Sequence, residues 1–446
     1  MGRKERADLL AQIAGLNFAD IARMRQVLAR PGAAAAVKGI KPAVVLRPSV
    51  VEVERARRAG EKALREGKIG AVLVAGGQGS RLGFDGPKGC LAIGPISGAT
   101  LFEIHCRKIV ALERRHRCEI PFYIMTSRDN DAATRAFFAA NRYFGLRRAR
   151  VMFFVQGMWP ALDVGGNVMV DRPGHIFMSP DGHGGTLAAL RESGMLDDMT
   201  RRRLKTLFYF QVDNPLVEIA DPVFVGLHGM WKADMSVKVC GKRDPEEGLG
   251  VVVKSGGRNR IVEYTELTAE QKNARLKSGE LKFNAGSVAI HMFSLAFMKK
   301  AASLSLPLHA AHKKVPFCDE RGRTIKPDAP NAFKFEKFIF DALPLARRTM
   351  VLEFRREDEF SPVKNASGND SPESTRKDMV RKFARWIEQC GVAIPCDPSG
   401  DPASLVEIDP CFAADAAELR LKLSAGFRPK GDVFLRCPEG NARVRK

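Results

Sequence analysis

The spacing of apolar residues predicts a helical beginning for this chain. Apolar side chains recur at helical spacing over residues 5–30, and a second helix is expected to begin near residue 18. Residues 30–48 are interrupted by Pro and Gly, which indicates a connector. The pattern of one amphipathic helix then covers residues 49–67. Residues 1–48 are therefore predicted to be an N-terminal helical segment.

From residue 71 onward, strand-like runs alternate with helical ones. Helices are expected near 100–115 and 130–142, and the strand-like runs are 71–75, 121–127, 150–156, 206–215, 234–241 and 249–256. This alternation predicts an α/β fold whose sheet is largely parallel and carries helices on both faces.

The last part of the chain follows a different pattern. A polar loop is expected at 366–375 and a helix at 376–390. After that helix, short apolar pieces are broken by Pro and Gly, which predicts a small β-rich extension. Because single cores stop growing at about 250–300 residues, a chain of 446 residues should divide. We predict a central α/β domain at 49–390 and a small C-terminal domain at 391–446.

The composition narrows the range of partners. The net charge is 72 − 51 = +21, which favours anionic partners such as nucleic acid, a membrane surface or phosphorylated small molecules. The cations are scattered, with no basic tract typical of nucleic-acid binding, and no apolar stretch approaches the roughly 20 residues of a membrane helix. The nine cysteines form no C-x-x-C pair, and the N-terminus lacks the pattern of a secretory signal. We therefore predict a cytoplasmic protein and interpret most of its charge as a solvated surface.

A glycine-rich loop is the clearest chemical signal in the chain. The stretch AVLVAGGQGSRLGFDGPKGCLAIGP (71–95) runs from an apolar strand into closely spaced glycines, with Arg81 and Lys88 beside them. Glycines leave backbone N–H groups unshielded, so such a loop can wrap an anion. It is not a P-loop, because Lys88 is followed by glycine, and the spacing of its glycines is one residue too long for the Rossmann fingerprint.

The sequence GGQGSRLG followed by PKG resembles the signature of sugar-nucleotide pyrophosphorylases. More narrowly, it resembles the eukaryotic-type UDP-N-acetylhexosamine pyrophosphorylases and their UDP-sugar relatives. The resemblance covers nearly the whole chain, and it rests on further blocks that follow in family order: LFEIHCRKI (101–109), MSPDGHGG (178–185), QVDNPLVEIADPVFVG (211–226), IVEYTEL (261–267), FNAGSVAIHMF (283–293), KKVPF (313–317), FKFEKFIFDA (333–342) and EFSPVKNASGNDSPES (359–374).

The resemblance implies a fold and an activity. The expected fold is a Rossmann-like mixed, mostly parallel sheet of the nucleotide-diphospho-sugar transferase type, with the two extensions described above. The expected reaction joins UTP and a sugar 1-phosphate to give a UDP-sugar and pyrophosphate. N-acetylglucosamine 1-phosphate is the first expectation for the sugar, and glucose 1-phosphate or a broad range of sugars is the alternative. Ser287, where the family often has Asn, leaves that choice open.

The resemblance also implies a role for particular residues. Catalytic contacts to phosphate are expected from Arg81, Lys88 and Lys364. The UTP site is expected to include Ala75, Gly76, Gly77, Gly79, Gln156, Gly182 and His183. The sugar is expected to contact Gly250, Glu263 and Asn284.

Two of these assignments also have a reading from the residue type. An aspartate at a strand end suits Mg²⁺, which prefers oxygen ligands, so Asp213 is the expected metal ligand and Mg²⁺ the expected cofactor. The alternative is that Asp213 caps the turn that follows. The amide of Gln156 offers a donor and an acceptor, which matches the edge of uracil.

His183 stands where the family has asparagine. With an unperturbed pKa of about 6.5, it would make substrate affinity depend on pH near neutrality. The alternative is an exposed turn residue, because Pro-Asp-Gly predicts a turn by itself. His309 and His312 have no Glu or Cys near them in sequence and are interpreted as a surface pair, not a metal site.

Two functions from other classes remain possible at this stage. One is a non-catalytic regulator that binds a nucleotide sugar in the same groove. The other is a basic nucleic-acid-binding protein, against which the scattered charge counts.

Overall fold

Helices and strands alternate through most of the protein. The structure is a computed structural model that describes residues 2–29, 37, 39–424 and 426–437, so the predicted connector at 30–48 lies partly outside the described residues. The helices are α1 Arg3–Ala14, α2 Phe18–Leu28, α3 Val50–Arg65, α4 Leu101–His116, α5 Asp131–Ala140, α6 Thr186–Glu192, α7 Met195–Arg201, α8 Pro222–Met230, α9 Ala269–Asn273, α10 Leu295–Ala302, α11 Arg356–Glu359, α12 Pro372–Gln389 and α13 Ala416–Lys422.

The strands are shorter and more numerous than the helices. They are β1 Lys41–Pro42, β2 Ile69–Val74, β3 Phe122–Thr126, β4 Val151–Val155, β5 Met158–Pro160, β6 Leu162–Asp163, β7 Val170–Arg172, β8 His175–Ile176, β9 Met178–Pro180, β10 Thr206–Gln211, β11 Met235–Gly241, β12 Val251–Ser255, β13 Arg258–Val262, β14 Ala285–Ser294, β15 His309–Lys313, β16 Phe317–Cys318, β17 Thr324–Ile325, β18 Ala332–Glu336, β19 Thr349–Glu353, β20 Val406–Ile408 and β21 Val433–Leu435.

Ten strands form one mixed sheet, which confirms the predicted α/β class. Its main path runs β1-β12-β14-β10-β2-β3-β4, and β11, β13 and β19 pair beside that path. The strands β10, β2, β3 and β4 are parallel to one another, whereas β14 is antiparallel to β10. The parallel half follows from the helical crossovers between its strands, because parallel neighbours cannot be joined by a tight turn.

Alternate residues of the central strands supply two separate cores. On β2, Ala71 and Leu73 belong to the core under α3, α4 and α8, whereas Val72 belongs to the core under α6, α7 and α10. This follows from the period of two along a strand, which sends successive side chains to opposite faces. The sheet is therefore covered by apolar side chains on both faces, and ligands can reach it only at the strand ends.

Capping side chains fix where the helices begin. Ser49 and Glu52 form a capping box at the start of α3. The helix predicted at 376–390 begins earlier, because Ser371 caps it and Pro372 occupies its first turn, where proline is tolerated. The polar loop predicted at 366–375 therefore ends earlier, before the helix begins at Pro372.

The two ends of the chain pack against the central part. Ile21 and Met24 of α2 share a cluster with Trp159, Leu162 and Phe335. Near the C-terminus, β20 and β21 pair in parallel with α13 between them, so strands are only part of the predicted β-rich extension. Its apolar side chains share a cluster with α12. The domain boundaries at residues 48 and 390 stay predictions. No helix of the described part is both long and apolar enough to cross a membrane.

Two glycines let α3 and α8 pack closely. A Cβ at Gly60 would lie 1.8 Å from the carbonyl oxygen of Pro222, and one at Gly226 would lie 1.8 Å from that of Ala56. Both distances are far below van der Waals contact, and the obstructing atoms are backbone. Any side chain at either position must therefore push the two helices apart.

We predict that Gly226→Ala lowers the free energy of unfolding by about 1–3 kcal/mol, because the added methyl group overpacks the helix contact. Gly229→Ala in the same helix is the matched control, since a Cβ there would meet no described atom within 4 Å. It should raise stability by about 0.5–1 kcal/mol, as alanine restricts the unfolded chain. Denaturant unfolding of the three proteins measures both effects. Equal stability of the two variants would contradict the close contact.

Candidate active site

The glycine-rich loop begins after β2 and folds back onto its own backbone. The backbone N of Lys88 donates to the carbonyl of Gly77 at 3.1 Å. Asn130 Nδ2 donates to the carbonyl of Ala75 at 2.9 Å and to that of Gly77 at 3.4 Å. Asn130 is fully buried, so it holds the first turn of the loop from beneath. The sequence analysis did not identify this residue.

Gln156 lies directly against the loop, as the sequence analysis requires of a nucleotide site. A Cβ at Gly76 would lie 2.8 Å from Gln156 Nε2, so only glycine leaves room for the amide. Gln156 is buried, and within the described residues its side-chain amide has no hydrogen-bond partner. The amide is therefore free to bind a ligand, and its reading of uracil stays a prediction.

A pocket of about 150 Å³ opens where several strands of the main sheet end. Residues from distant parts of the chain meet there, and five of them were predicted from the sequence. The lining consists of His183, Gln211, Asp213, Gly248, Leu249, Gly250, Ile261, Glu263, Ser287, Val288, Ala289, Phe340, Phe360, Pro362 and Lys364. A single cavity thus holds residues predicted for four kinds of contact. They are Lys364 for phosphate, Gly250 and Glu263 for the sugar, His183 for the nucleotide and Asp213 for the metal.

Asp213 joins this pocket to the glycine-rich loop. Asp213 Oδ2 lies 3.6 Å from Lys88 Nζ, which also donates to the carbonyl of Val363 at 3.1 Å. The backbone N of Val363 donates to the carbonyl of Asp213 at 2.8 Å. These contacts bring together the end of β10, the cation of the loop and the residue before Lys364. The carboxyl ends of parallel strands are also where open α/β sheets bind ligands.

Two polar groups fix the segment before Lys364, and one of them attaches it to the end of β10. Asn214 Nδ2 donates to the carbonyl of Glu359 at 2.7 Å, and its Oδ1 accepts from the backbone N of Ser361 at 3.1 Å. The ammonium of Lys238, which is 1% exposed, lies 2.5 Å from Glu359 Oε1 and 3.1 Å from Asp221 Oδ2. Lys364 is therefore carried by a segment that is fixed through buried hydrogen bonds and ion pairs.

Helix α4 supports the same strand end from behind. His105 Nε2 donates to the carbonyl of Val212 at 3.0 Å, and Lys108 Nζ donates to the carbonyls of Pro215 and Val217. Burial lowers the pKa of His105 to about 3, so its ring is neutral. This face of α4 therefore binds the backbone on both sides of Asp213.

Glu263 and Gly250 flank the open end of a hairpin. β12 pairs with β13 so that Val251 faces Val262, which places Gly250 and Glu263 next to each other. A Cβ at Gly250 would lie 2.9 Å from Glu263 Oε1. Burial raises the pKa of Glu263 to about 7, and the Glu266 carboxylate acts in the same direction. Near neutral pH, this carboxyl group can therefore donate as well as accept a hydrogen bond.

His183 is held in one tautomer. Its Nδ1 accepts from the backbone N of Ile339 at 3.2 Å, so the proton is on Nε2, and its ring stacks on Phe338 with centroids 5.3 Å apart. Burial lowers the pKa of His183 to about 4. The expected change of charge near neutrality is therefore wrong, because burial and the nearby His309 disfavour the imidazolium. His183 offers the pocket one neutral donor, much as an asparagine amide would.

Nine predicted residues lie outside the lining of the pocket. Six of them belong to the glycine-rich loop or lie against it, namely Ala75, Gly76, Gly77, Gly79, Lys88 and Gln156, and the other three are Arg81, Asn284 and Gly182. Arg81 is exposed on a short 3-10 turn, Ser80–Leu82. Asn284 turns to the backbone N of Lys242, at 2.7 Å. Gly182 has φ +82°, and a Cβ there would lie 2.5 Å from the carbonyl oxygen of Lys337. The glycine is thus needed for backbone packing, and the contacts predicted for these three residues stay predictions.

Carboxylates also gather away from the pocket. Within the described residues, ligand atoms of Glu218, Asp221 and Glu359 lie within 4.8 Å of one another. The ammonium of Lys238 contacts two of the three. We interpret this group as a buried ion network, because lysine already supplies the cation that a metal would provide. His309 likewise pairs with Asp341 Oδ2 at 2.8 Å, not with a metal.

Comparison with known proteins gives consistent results. The profile of the UTP–glucose-1-phosphate uridylyltransferase family matches residues 26–375. The chain is 37% identical over 419 residues to the UDP-N-acetylhexosamine pyrophosphorylase-like protein 1 of Homo sapiens, covering 88% of this chain and 83% of that protein. It is 37% identical over 350 residues to the UDP-N-acetylglucosamine pyrophosphorylase of Saccharomyces cerevisiae, covering 76% of this chain and 73% of that protein.

A solved structure extends the likeness to three dimensions. It is the uridine diphosphate N-acetylglucosamine pyrophosphorylase of Trypanosoma brucei in complex with an inhibitor. The TM-score is 0.81 at 29% identity, and the match covers 98% of this chain and 94% of that one.

The raised pKa of Glu263 predicts a pH-dependent stability. Between its ordinary pKa of 4.5 and about 7, the folded protein binds a proton that the unfolded chain releases. The contribution of this proton to the free energy of unfolding is therefore fully present below pH 4.5 and is lost as the pH rises to about 7. Glu263→Gln should remove this loss and be more stable than wild type at pH 8 by about 1–3 kcal/mol.

Denaturant unfolding at several pH values between 4.5 and 8 measures the effect. Exposed Glu320 has no side-chain partner among the described residues, so Glu320→Gln is the control and should follow the wild-type curve. Parallel curves for wild type and Glu263→Gln would contradict the assignment.

Proposed function

The chain belongs to the UTP–glucose-1-phosphate uridylyltransferase family, and on this premise we propose that it makes a UDP-sugar and pyrophosphate from UTP and a sugar 1-phosphate. The observation that carries the proposal is the meeting of Lys88, Asp213 and the segment of Lys364 at the end of β10. Two cations and a carboxylate at one mouth suit a reaction between two phosphate esters.

The reaction is a direct displacement at phosphorus. A phosphate oxygen of the sugar 1-phosphate attacks the α-phosphorus of UTP, and the bond from that phosphorus to the bridging oxygen breaks. Pyrophosphate leaves with the electron pair of that bond. The nucleophile is already an anion, so neither a covalent enzyme intermediate nor a general base is required. The protein contributes position and charge.

Each contribution falls to a part of the site already described. Lys88 lies beside the glycine-rich loop and neutralises charge that develops on pyrophosphate. Lys364, in the segment bound to Asp213, steadies the phosphates that react. Gln156 holds the uracil edge with its free amide, and the neutral imidazole of His183 donates one hydrogen bond to the ligand from Nε2. These roles follow from location and donor chemistry.

The donor set of the site fits Mg²⁺. Asp213 presents a carboxylate at the mouth of the pocket, and Mg²⁺ in nucleotide sites takes one or two carboxylates together with phosphate oxygens and water. Asp213 would hold the ion. When bound, the ion neutralises charge on phosphate oxygens. Lys88, at 3.6 Å, balances the carboxylate when no ion is present.

N-acetylglucosamine 1-phosphate is the proposed sugar substrate. The relatives named above are N-acetylhexosamine or N-acetylglucosamine pyrophosphorylases, whereas the family description names glucose 1-phosphate. The carboxyl of Glu263 near neutral pH suits sugar hydroxyls, which both give and take hydrogen bonds. The cytoplasm is the proposed location, and all nine cysteines are free, as expected of a reducing compartment.

We predict that the enzyme releases pyrophosphate from UTP and N-acetylglucosamine 1-phosphate at a higher kcat/KM than with glucose 1-phosphate. A matrix of UTP, CTP, ATP and dTTP against several sugar 1-phosphates tests substrate and nucleotide together. UTP should give a higher kcat/KM than the other nucleotides, because a mismatched base leaves a buried polar group unpaired at a cost of about 1–3 kcal/mol. Gln156→Ala should reduce the ratio of the kcat/KM for UTP to that for the other nucleotides. A folded protein that releases no pyrophosphate in any combination would overturn the proposal.

We predict that Asp213→Asn abolishes the Mg²⁺-dependent turnover and leaves the protein folded. The substitution keeps the shape of the side chain and removes the charge that holds the ion. Turnover against Mg²⁺ concentration, together with thermal melting, measures both. Asp129→Asn is the matched control, since Asp129 is exposed and has no side-chain partner among the described residues. Wild-type turnover by Asp213→Asn would contradict the metal assignment.

A further inference from the structure

A second cavity, of about 560 Å³, lies at the far ends of elements that build the pocket. The β12–β13 hairpin contributes Gly250 and Glu263 to the pocket, and its turn, residues 256–257, reaches the second cavity. The 3-10 helix Ile339–Leu345 also contributes to both cavities. We call this cavity the basic groove. Its lining is Val44–Arg47, Trp231, Ala233, Lys254, Gly257–Asn259, Leu343 and Ala346–Val351.

The lining of the basic groove carries five cations and no carboxylate. The cations are Arg47, Lys254, Arg258, Arg347 and Arg348, and all five are exposed. Arg47 pairs with Glu353, which does not line the groove. For the other four, no ion pair occurs among the described residues, and two of their guanidinium groups donate to backbone carbonyls instead. Asp234 Oδ2 accepts from the backbone N of Arg347 and Arg348, so one carboxylate lies near the groove without pairing with a cationic side chain. The groove thus keeps a net positive potential.

The pairing of β1 with β12 adds to this potential. Lys41 lies directly opposite Lys254 in an antiparallel register. Opposite residues of an antiparallel pair project from the same face, and like charges there are destabilising. An anion binds favourably to a concave surface where cations are packed in this way. The protein wall has a low dielectric constant, so it focuses the electric field of the cations.

An exposed aromatic ring completes the groove. Trp231 lines it and is 52% exposed, at the C-terminal end of α8. Indole is the best aromatic platform for stacking and for contact with cations. The volume lies within the range of about 300–1,000 Å³ that is typical of small-molecule sites. Shape, charge and ring therefore agree on a ligand that has several phosphates and a flat ring.

We propose that the basic groove is a binding site for a nucleoside polyphosphate, separate from the substrate pocket. The phosphates contact Lys254 and Arg347, and the base stacks on Trp231. Arg258 and Arg348 remain framework residues, because their guanidinium groups hold the carbonyls of Pro344 and Lys232, each at 2.7 Å. The proposal rests on the groove alone and does not require the proposed function to hold.

Calorimetric titration with ATP at about 0.15 M salt tests the site. The double variant Lys254→Gln/Arg347→Gln should weaken ATP binding by about tenfold or more, since two phosphate contacts are lost. The control Lys299→Gln/Lys300→Gln removes the same charge from exposed lysines of α10 and should change the affinity less than about twofold. Lys88→Gln, beside the substrate pocket, should leave this binding event in place.

Inorganic tripolyphosphate separates the ring from the charge. It should bind more weakly than ATP to wild type, and Trp231→Leu should remove that difference. No ATP binding to the wild type, or equal weakening by the groove variant and its control, would overturn the proposal. Loss of the binding event in Lys88→Gln would do the same, because it would place ATP in the substrate pocket. Equal affinities for ATP and tripolyphosphate would overturn the stacking on Trp231.

Discussion

The buried ammonium of Lys238 is the contact on which the geometry of the pocket depends. Lys238 projects from β11 into the protein and binds two carboxylates, Glu359 before the Lys364 segment and Asp221 after the Asp213 loop. Removing one partner of such a network leaves a buried charge uncompensated, which typically costs about 3–5 kcal/mol. The network therefore stabilises the fold and also holds the segment before Lys364 and the loop after Asp213 in fixed positions relative to β11.

The pocket that results combines cations with groups that burial keeps neutral. Lys364 lines the pocket and Lys88 Nζ lies 3.6 Å from Asp213 Oδ2, whereas burial disfavours the charged forms of Glu263 and His183. The charge of Lys364 also acts on Glu263, whose pKa it lowers against the effect of burial. A sugar 1-phosphate carries both an anion and hydroxyl groups, so the donors and acceptors of the pocket match both parts of that molecule.

The sequence predicted what depends on local pattern and missed what depends on distant partners. The apolar run of β2 and the amphipathic pattern of α3 are local, so these elements lie close to where they were expected. Lys238 gave no signal, because its partner Glu359 is far away in the chain. The expected charge of His183 was wrong for the same reason, since burial and the distant His309 lower its pKa. The pocket residues came from family motifs, which record long-range geometry that a single sequence does not display.

The hydrogen bond between Val363 and Asp213 also constrains how the protein is made. The glycine-rich loop and β10 leave the ribosome long before residues 359–364, so the early part of the chain can form its parallel strands but cannot complete the pocket. Closing so long a loop costs conformational entropy that is recovered only when the ion network forms. The half-assembled sheet must therefore persist during synthesis with the end of β10 uncovered. The chain can therefore form its complete pocket only after residues 359–364, in its last quarter, have been synthesised.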